Sequence, residues 1–158
     1  MNGWDVPGFS GPARREGYAE ISVRSGGGVI GSVTFLTDDD RALASLPLEA
    51  AGRRSHVIAH VAQSAAWFTG VTLLNPSNLP VPVTVTVCDS TDRLIGSRVV
   101  HLMPRSKEAR VISEWVSEAY PLLGGSIQLS APEEILCFGL FGSPDLRILA
   151  AIPSQPAP

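Results

Sequence analysis

The chain has 158 residues, which suits one core of roughly 100 to 150 residues and is short for two. With 44% apolar and 17% charged residues and a mean hydropathy of +0.18, it can bury a real core, and its composition excludes disorder. Fifteen acidic against twelve basic residues give a net charge of −3 with no basic block, which excludes a nucleic-acid footprint.

No apolar run approaches the roughly 18 residues that span a bilayer, so no membrane span is expected. The start Met1-Asn2-Gly3-Trp4-Asp5 lacks the basic and apolar regions of a signal peptide, and a soluble chain is the expectation. Gly (15) and Pro (13) are scattered between short Val-, Ile- and Thr-rich runs, the punctuation of many short strands. The predicted fold class is therefore all-β.

Residues 1–16, with Pro7, Gly8, Gly11 and Pro12, carry no apolar period and read as an irregular lead-in. Tyr18 to Val23 alternates, Ser25-Gly26-Gly27-Gly28 turns the chain, and Val29 to Leu36 returns, which predicts a hairpin. After the acidic turn Asp38-Asp39-Asp40, residues 41–48 offer a third short strand stopped at Pro47, and residues 49–55 read as a linker.

His56 to Ala62 and Trp67 to Leu74 are the next strands, followed by a turn at Asn75-Pro76, where the proline ring pushes Asn75 out of the helical region. Val81, Val83, Val85 and Val87 alternate with Pro82, Thr84 and Thr86, so the valines face a core. Pro80 and Pro82 cannot donate to a ladder and place the start of that strand at a sheet edge. Asp89-Ser90-Thr91-Asp92 turns the chain into a partner strand, Leu94 to Leu102. The one helix expected is a short one within Ser106 to Tyr120, as little as two turns, where Ile112, Trp115, Val116 and Ala119 fall at helical spacing before Pro121. Gly125 to Ser130, Glu134 to Phe141 and Leu146 to Pro153 are three closing strands, and residues 154–158 read as a loose tail.

Residues 17–47 and 125–153 repeat one another. Gly17 to Val23 lies over Gly125 to Ala131, and Gly31 over Gly139. After a slip of two residues, Phe35 matches Phe141, Asp39 matches Asp145, Arg41 matches Arg147, Leu43-Ala44 matches Leu149-Ala150, and Pro47 matches Pro153. The period of roughly 106 to 108 residues is that of a whole β-sandwich domain, far beyond the roughly 20 to 50 of a solenoid unit. Residues 56–153 are thus expected to form one complete module, and residues 17–48 to correspond to the last three strands of a preceding one. Three strands with an apolar face must bury it. Completing the sandwich of residues 56–153 is the first expectation. A place in a longer array and strand exchange in a homo-oligomer are the others.

The run Trp67 to Pro76, the Val-Thr strand ending in Asp89, Leu102-Met103-Pro104, and Phe138-Gly139-Leu140-Phe141-Gly142 before Leu149-Ala150-Ala151-Ile152-Pro153 carry a resemblance. They are similar to the immunoglobulin-like β-sandwich repeats of bacterial secreted and cell-surface proteins. The resemblance covers residues 56–153 and part of 17–47. It implies an antiparallel, immunoglobulin-like sandwich, an extracytoplasmic address, and a spacer, stalk or adhesion role without catalysis.

Candidate chemistry is sparse. His56 and His60 lie about 13 Å apart on one face of a strand, too far for one metal ion, and with His101 read as partly exposed strand histidines. Asp38-Asp39-Asp40 and the Asp89/Asp92 pair lack the spaced ligands of a calcium loop and read as solvated turns. Ser25 to Gly28 joins strand to strand without a following Lys-Ser/Thr, so it is a turn and no phosphate loop. Cys88 and Cys137 sit in strands without a positioned partner, which leaves a bridge between them open and predicts no nucleophile. No cofactor and no metal are expected.

Trp4, Trp67 and Trp115 are the residues through which a sandwich stacks on sugar rings. Trp67 and Trp115 fall on apolar faces and read as core, which leaves Trp4 the loose one. The expectation is a non-catalytic structural or protein-interaction module whose partner is a protein or a neighbouring module. The alternative is a carbohydrate-binding module using exposed aromatics.

Overall fold

The computed structural model describes residues 17–36 and 42–157. Its first pair of strands is β1 (Ser32–Leu36) and β2 (Leu43–Pro47), joined antiparallel from Ser32↔Pro47 to Leu36↔Leu43. Ala44 and Leu46 are buried on one face of β2, while Leu36 and Leu43 stand exposed on the opposite face of the hairpin. Tyr18 to Val23, expected as a strand, forms none. It pairs with no described strand, although Gly17, Tyr18 and Ala19 line a cavity together with Val33 and Phe35 of β1, and alternation without a ladder partner does not make a strand.

The main body begins at β3 (Arg53–Ile58), so the expected linker of residues 49–55 ends inside a strand. β4 (Ala62–Gln63) and β5 (Phe68–Asn75) follow. In β6 (Val81–Cys88) the period of two is realised: Val81, Val83, Val85 and Val87 are fully buried, and Pro82 and Thr84 face outward. Burying a valine of this kind contributes about 1.5 kcal/mol or more. β7 (Leu94–Leu102) pairs with the whole of β6, whereas β10 reaches β6 only from Thr84 onward, so the proline-bearing start has a neighbour on one side only. Asn75, fully buried, holds the loops beyond: its side-chain amide donates to the carbonyls of Leu79 (2.7 Å) and Met103 (3.0 Å).

The one short helix expected near residues 106–120 is present but spans only part of that range. Residues 106–111 form β8 (Ser106–Val111), paired with β5 from Asn75↔Ser106 to Gly70↔Val111. One α-turn, α1 (Ile112–Trp115), and one 3-10 turn (Ser117–Ala119) remain. The helical spacing still marks the right face, since Ile112, Val116 and Ala119 are fully buried. One turn suffices because an open edge of β5 offers residues 106–111 a ladder, while Val111 supplies no side-chain cap.

After β9 (Leu122–Leu123), the two strands expected over 125–130 and 134–141 are one, β10 (Ser126–Gly142), with an irregularity in register between Ser130 and Ile135. Its first half pairs with β3 and β6, and its second half with β5 and β11 (Leu149–Pro153). The loose tail is also corrected: β12 (Gln155–Pro156) pairs with β3. The result is an all-β antiparallel sandwich, with β12-β3-β10-β6-β7 as one layer and β11-β10-β5-β8 as the other. Ile58, Leu73, Leu102, Ile112, Ile127 and Ile135 fill the space between them with no side-chain surface exposed.

The β1–β2 hairpin packs against β11 as a separate two-stranded sheet. Its register reproduces that of the β10–β11 pair residue for residue at an offset of 106, from Ser32↔Pro47 and Phe138↔Pro153 to Leu36↔Leu43 and Gly142↔Leu149.

Candidate functional site

A cavity of about 480 Å³ lies between the β1–β2 hairpin and the outer face of the β11-β10-β5-β8 layer. Val33, Phe35 and Leu46 line it from the hairpin, and Leu74, Leu136 and Phe138 from the layer. The rings of Phe35 and Phe138 meet at 5.8 Å between centroids, tilted by 33°, and close one side. Glu49 and Lys107 stand at its margin. The cause is legible in β5 and β10, where Leu74 and Leu136 face each other on the side opposite the core. A strand apolar on both faces needs a cover, and the hairpin is that cover.

Cys137 contributes to the cavity wall and leads into a buried polar network. Its thiol bonds the hydroxyl of Ser154, and that hydroxyl lies 3.0 Å from Nδ1 of His56. Nε2 of His56 sits between the carbonyl oxygens of Ile135 (3.0 Å) and Arg53 (3.1 Å). Carbonyls only accept, so in the neutral ring the hydrogen is on Nε2, and Nδ1 accepts from Ser154. The Ser154 oxygen is then left to accept from the Cys137 S–H. Burial pushes the Cys137 thiol up to about 12, which keeps it protonated and unreactive at neutral pH. The network ties β3, β10 and the segment before β12 together and presents no nucleophile.

His56 is therefore a correction: it was expected partly exposed and is 2% exposed. The period of two within β3 carried the signal, because His56 and Ile58 share a face and Ile58 is core. His60 is exposed, with its ring set edge-on against Phe141 at 5.0 Å, and His101 is exposed on β7, so the three histidines do not converge. Among the described residues, no three His, Cys, Asp or Glu side chains gather into a metal-sized cluster.

Cys88 and Cys137 are both free and buried. Cys88 faces Ser126 at one end of β10 and Cys137 lies eleven residues along it, roughly 36 Å away at strand rise, beyond the reach of a disulfide.

Trp67 is half-buried just before β5 and stacks on Phe141, with centroids at 5.0 Å and planes at 27°. Trp115 is half-buried in α1 against the core. Each of these two indoles is engaged within the fold. Trp4 and the run Asp38-Asp39-Asp40 lie outside the described residues. Ser25 to Gly28 is an exposed bend with open space around Gly26, Gly27 and Gly28.

The Asp89 turn closes the β6–β7 hairpin. Its carboxylate accepts from the Thr91 hydroxyl (2.7 Å) and amide (2.9 Å), from the Arg93 amide (3.1 Å), and from Arg93 Nε (3.0 Å). Hydrogen bonds from Thr91, then from Arg93, hold its carboxyl down at about 2. This is the self-bonded turn that the sequence suggested.

No protein-family model matches the chain, and no curated protein matches it. Among solved structures it is similar to the Anabaena sensory rhodopsin transducer, with 16% identity and a TM-score of 0.44 over 54% of this chain and 93% of the transducer chain.

Proposed function

We propose that the chain is a non-catalytic structural or protein-interaction module, immunoglobulin-like in kind, of a bacterial surface or secreted array. The observation that carries the reading is the duplicated hairpin. β1–β2 copies the register of β10–β11, yet in the sandwich β10 is flanked on its other side by β5, whereas among the described residues β1 pairs with β2 alone. A strand with one partner and exposed apolar neighbours such as Val33, Leu36 and Leu43 is a surface for contact with another chain or module. The inert Cys137 thiol and the histidine spent on backbone carbonyls fit a scaffold role.

Light scattering on residues 1–158 beside a chain beginning at Glu49, ahead of β3, tests the reading. A folded, monomeric short chain with a full chain that associates as concentration rises is the expected result. A full chain that stays monomeric across the same range, and a short chain that fails to fold, would make the hairpin part of one closed domain and overturn it.

A further inference from the structure

We propose that the outer face of the β11-β10-β5-β8 layer holds a binding site for the alkyl chain of an uncharged single-chain amphiphile, such as a long-chain alcohol. The proposal goes beyond the interaction reading above, and neither depends on the other.

The cavity of about 480 Å³ under the hairpin is roughly three times the 150 Å³ or so that holds a benzene ring in an apolar core. Gly17, Tyr18 and Ala19 form part of its wall, so this is the volume that remains with those residues in place. A second hollow of about 240 Å³ lies further along β5, between Phe68, Gly70, Leu140 and Arg110, and Thr72 lines both. The two hollows therefore follow one line down the layer.

The pairing register explains that line. Leu74↔Leu136, Thr72↔Phe138, Gly70↔Leu140 and Phe68↔Gly142 are the outward cross-strand pairs of β5 and β10. Gly70 and Gly142 each leave one half of a pair without a side chain, so the floor dips beyond Thr72. From Leu74 to Phe68 the line covers six residue steps, roughly 20 Å at strand rise. A long, narrow, apolar space suits an unbranched chain and packs poorly around a compact ring system.

The polar groups argue for an uncharged ligand. Among the described residues every buried polar side-chain atom has its hydrogen-bond partner, so no wall group calls for a charge or a donor from the ligand. The margins carry both signs: Glu49 and Lys107 at the first hollow, and Glu114 and Arg110, 3.5 Å apart, at the second. A carboxylate head would meet Glu114, and an ammonium head would meet Arg110. A hydroxyl both donates and accepts, so it serves the pair without opposing a like charge. The methyl end then lies under the hairpin, and the hydroxyl lies over Gly70 toward Arg110 and Glu114.

Isothermal titration of the full chain with 1-octanol, 1-decanol and 1-dodecanol tests the proposal. One molecule should bind per chain, with affinity rising about fourfold for each added methylene. Decanoate and decylamine should bind at least about threefold more weakly than decanol. The cage alcohol 1-adamantanol, with the same number of carbons as decanol, should bind at least about tenfold more weakly. Gly70→Val supplies a second arm. A Cβ at Gly70 would lie 3.7 Å from its nearest neighbour, the Leu140 carbonyl oxygen, and a β-branched residue suits a strand, so the urea midpoint should match or exceed the wild type. The valine fills the second hollow, so octanol should bind as in the wild type and dodecanol no tighter than octanol. No heat with any of the three alkanols, a cage alcohol that matches decanol, or a charged analogue that exceeds decanol would each overturn the proposal. So would a folded Gly70→Val that binds dodecanol as the wild type does. If Gly70→Val does not fold, the chain-length and head-group series on the wild type decide alone.

Discussion

Nδ1 of His56 lies 3.0 Å from the hydroxyl of Ser154, ninety-eight residues further along the chain. That contact joins the first strand of the sandwich body to the segment just before its last, and both groups are buried. Ser154→Ala leaves the imidazole nitrogen without its donor and should cost about 1 to 3 kcal/mol. In urea unfolding, the midpoint should fall with the slope unchanged. A midpoint within error of the wild type would mean that water replaces the hydroxyl freely.

The Asp89 turn predicts a pH dependence. Its folded pKa of about 2 lies below the ordinary 3.8, so its stabilisation is fully present above that ordinary value and is lost as pH falls toward 2. Asp89→Asn lacks this term. The difference in urea midpoint between wild type and D89N should be constant near neutrality and shrink through the window from 3.8 down to about 2. A constant difference across that window would contradict the assignment.

Gly125 has φ of +135°, and a Cβ there would run into the carbonyl oxygen of Cys88 and lie 3.1 Å from Asp89 Cα. Gly124, at φ +89°, would meet only Ser90 Cβ at 3.7 Å, an ordinary contact. Gly125→Ala should cost about 3 kcal/mol or more, and Gly124→Ala about 1 kcal/mol from backbone strain alone. Thermal denaturation of the two variants separates steric clash from strain, and equal losses would show the close approach to be relaxed.

Both thiols should be silent in the native protein. A colorimetric thiol reagent at mildly alkaline pH is expected to label neither Cys88 nor Cys137 until denaturant is added, and then both, because both are buried and the Cys137 thiol stays protonated. Rapid labelling of Cys137 in native protein would mean that the cavity wall opens readily.

Much of the fold is legible in residue pattern. The Val-Thr alternation from Val81 to Val87 and the double use of Leu-Ala and Pro in residues 43–47 and 149–153 are properties of short windows, and the strands follow them. What stays hidden depends on a distant partner. Ser106 to Val111 looks helical because its neighbours are spaced that way, and becomes strand because β5 offers it an edge. Tyr18 to Val23 looks like strand and pairs with none of the described strands. His56 looks like a surface residue until Ser154, Ile135 and Arg53 surround it. The cavity had one local sign, apolar side chains on both faces at Leu73 and Leu74, but its roof lies a long way upstream in sequence.

β10, from Ser126 to Gly142, crosses from one layer to the other without a break in the strand. A tensile load passing between the layers therefore travels along covalent bonds and does not rely on side-chain friction across the interface. Prising the layers apart like a book demands that this one strand stretch or peel from four neighbours, β3, β6, β5 and β11. The sandwich has the build of a pinned joint, and under force its body should yield as a unit, after the hairpin at its side has been stripped away.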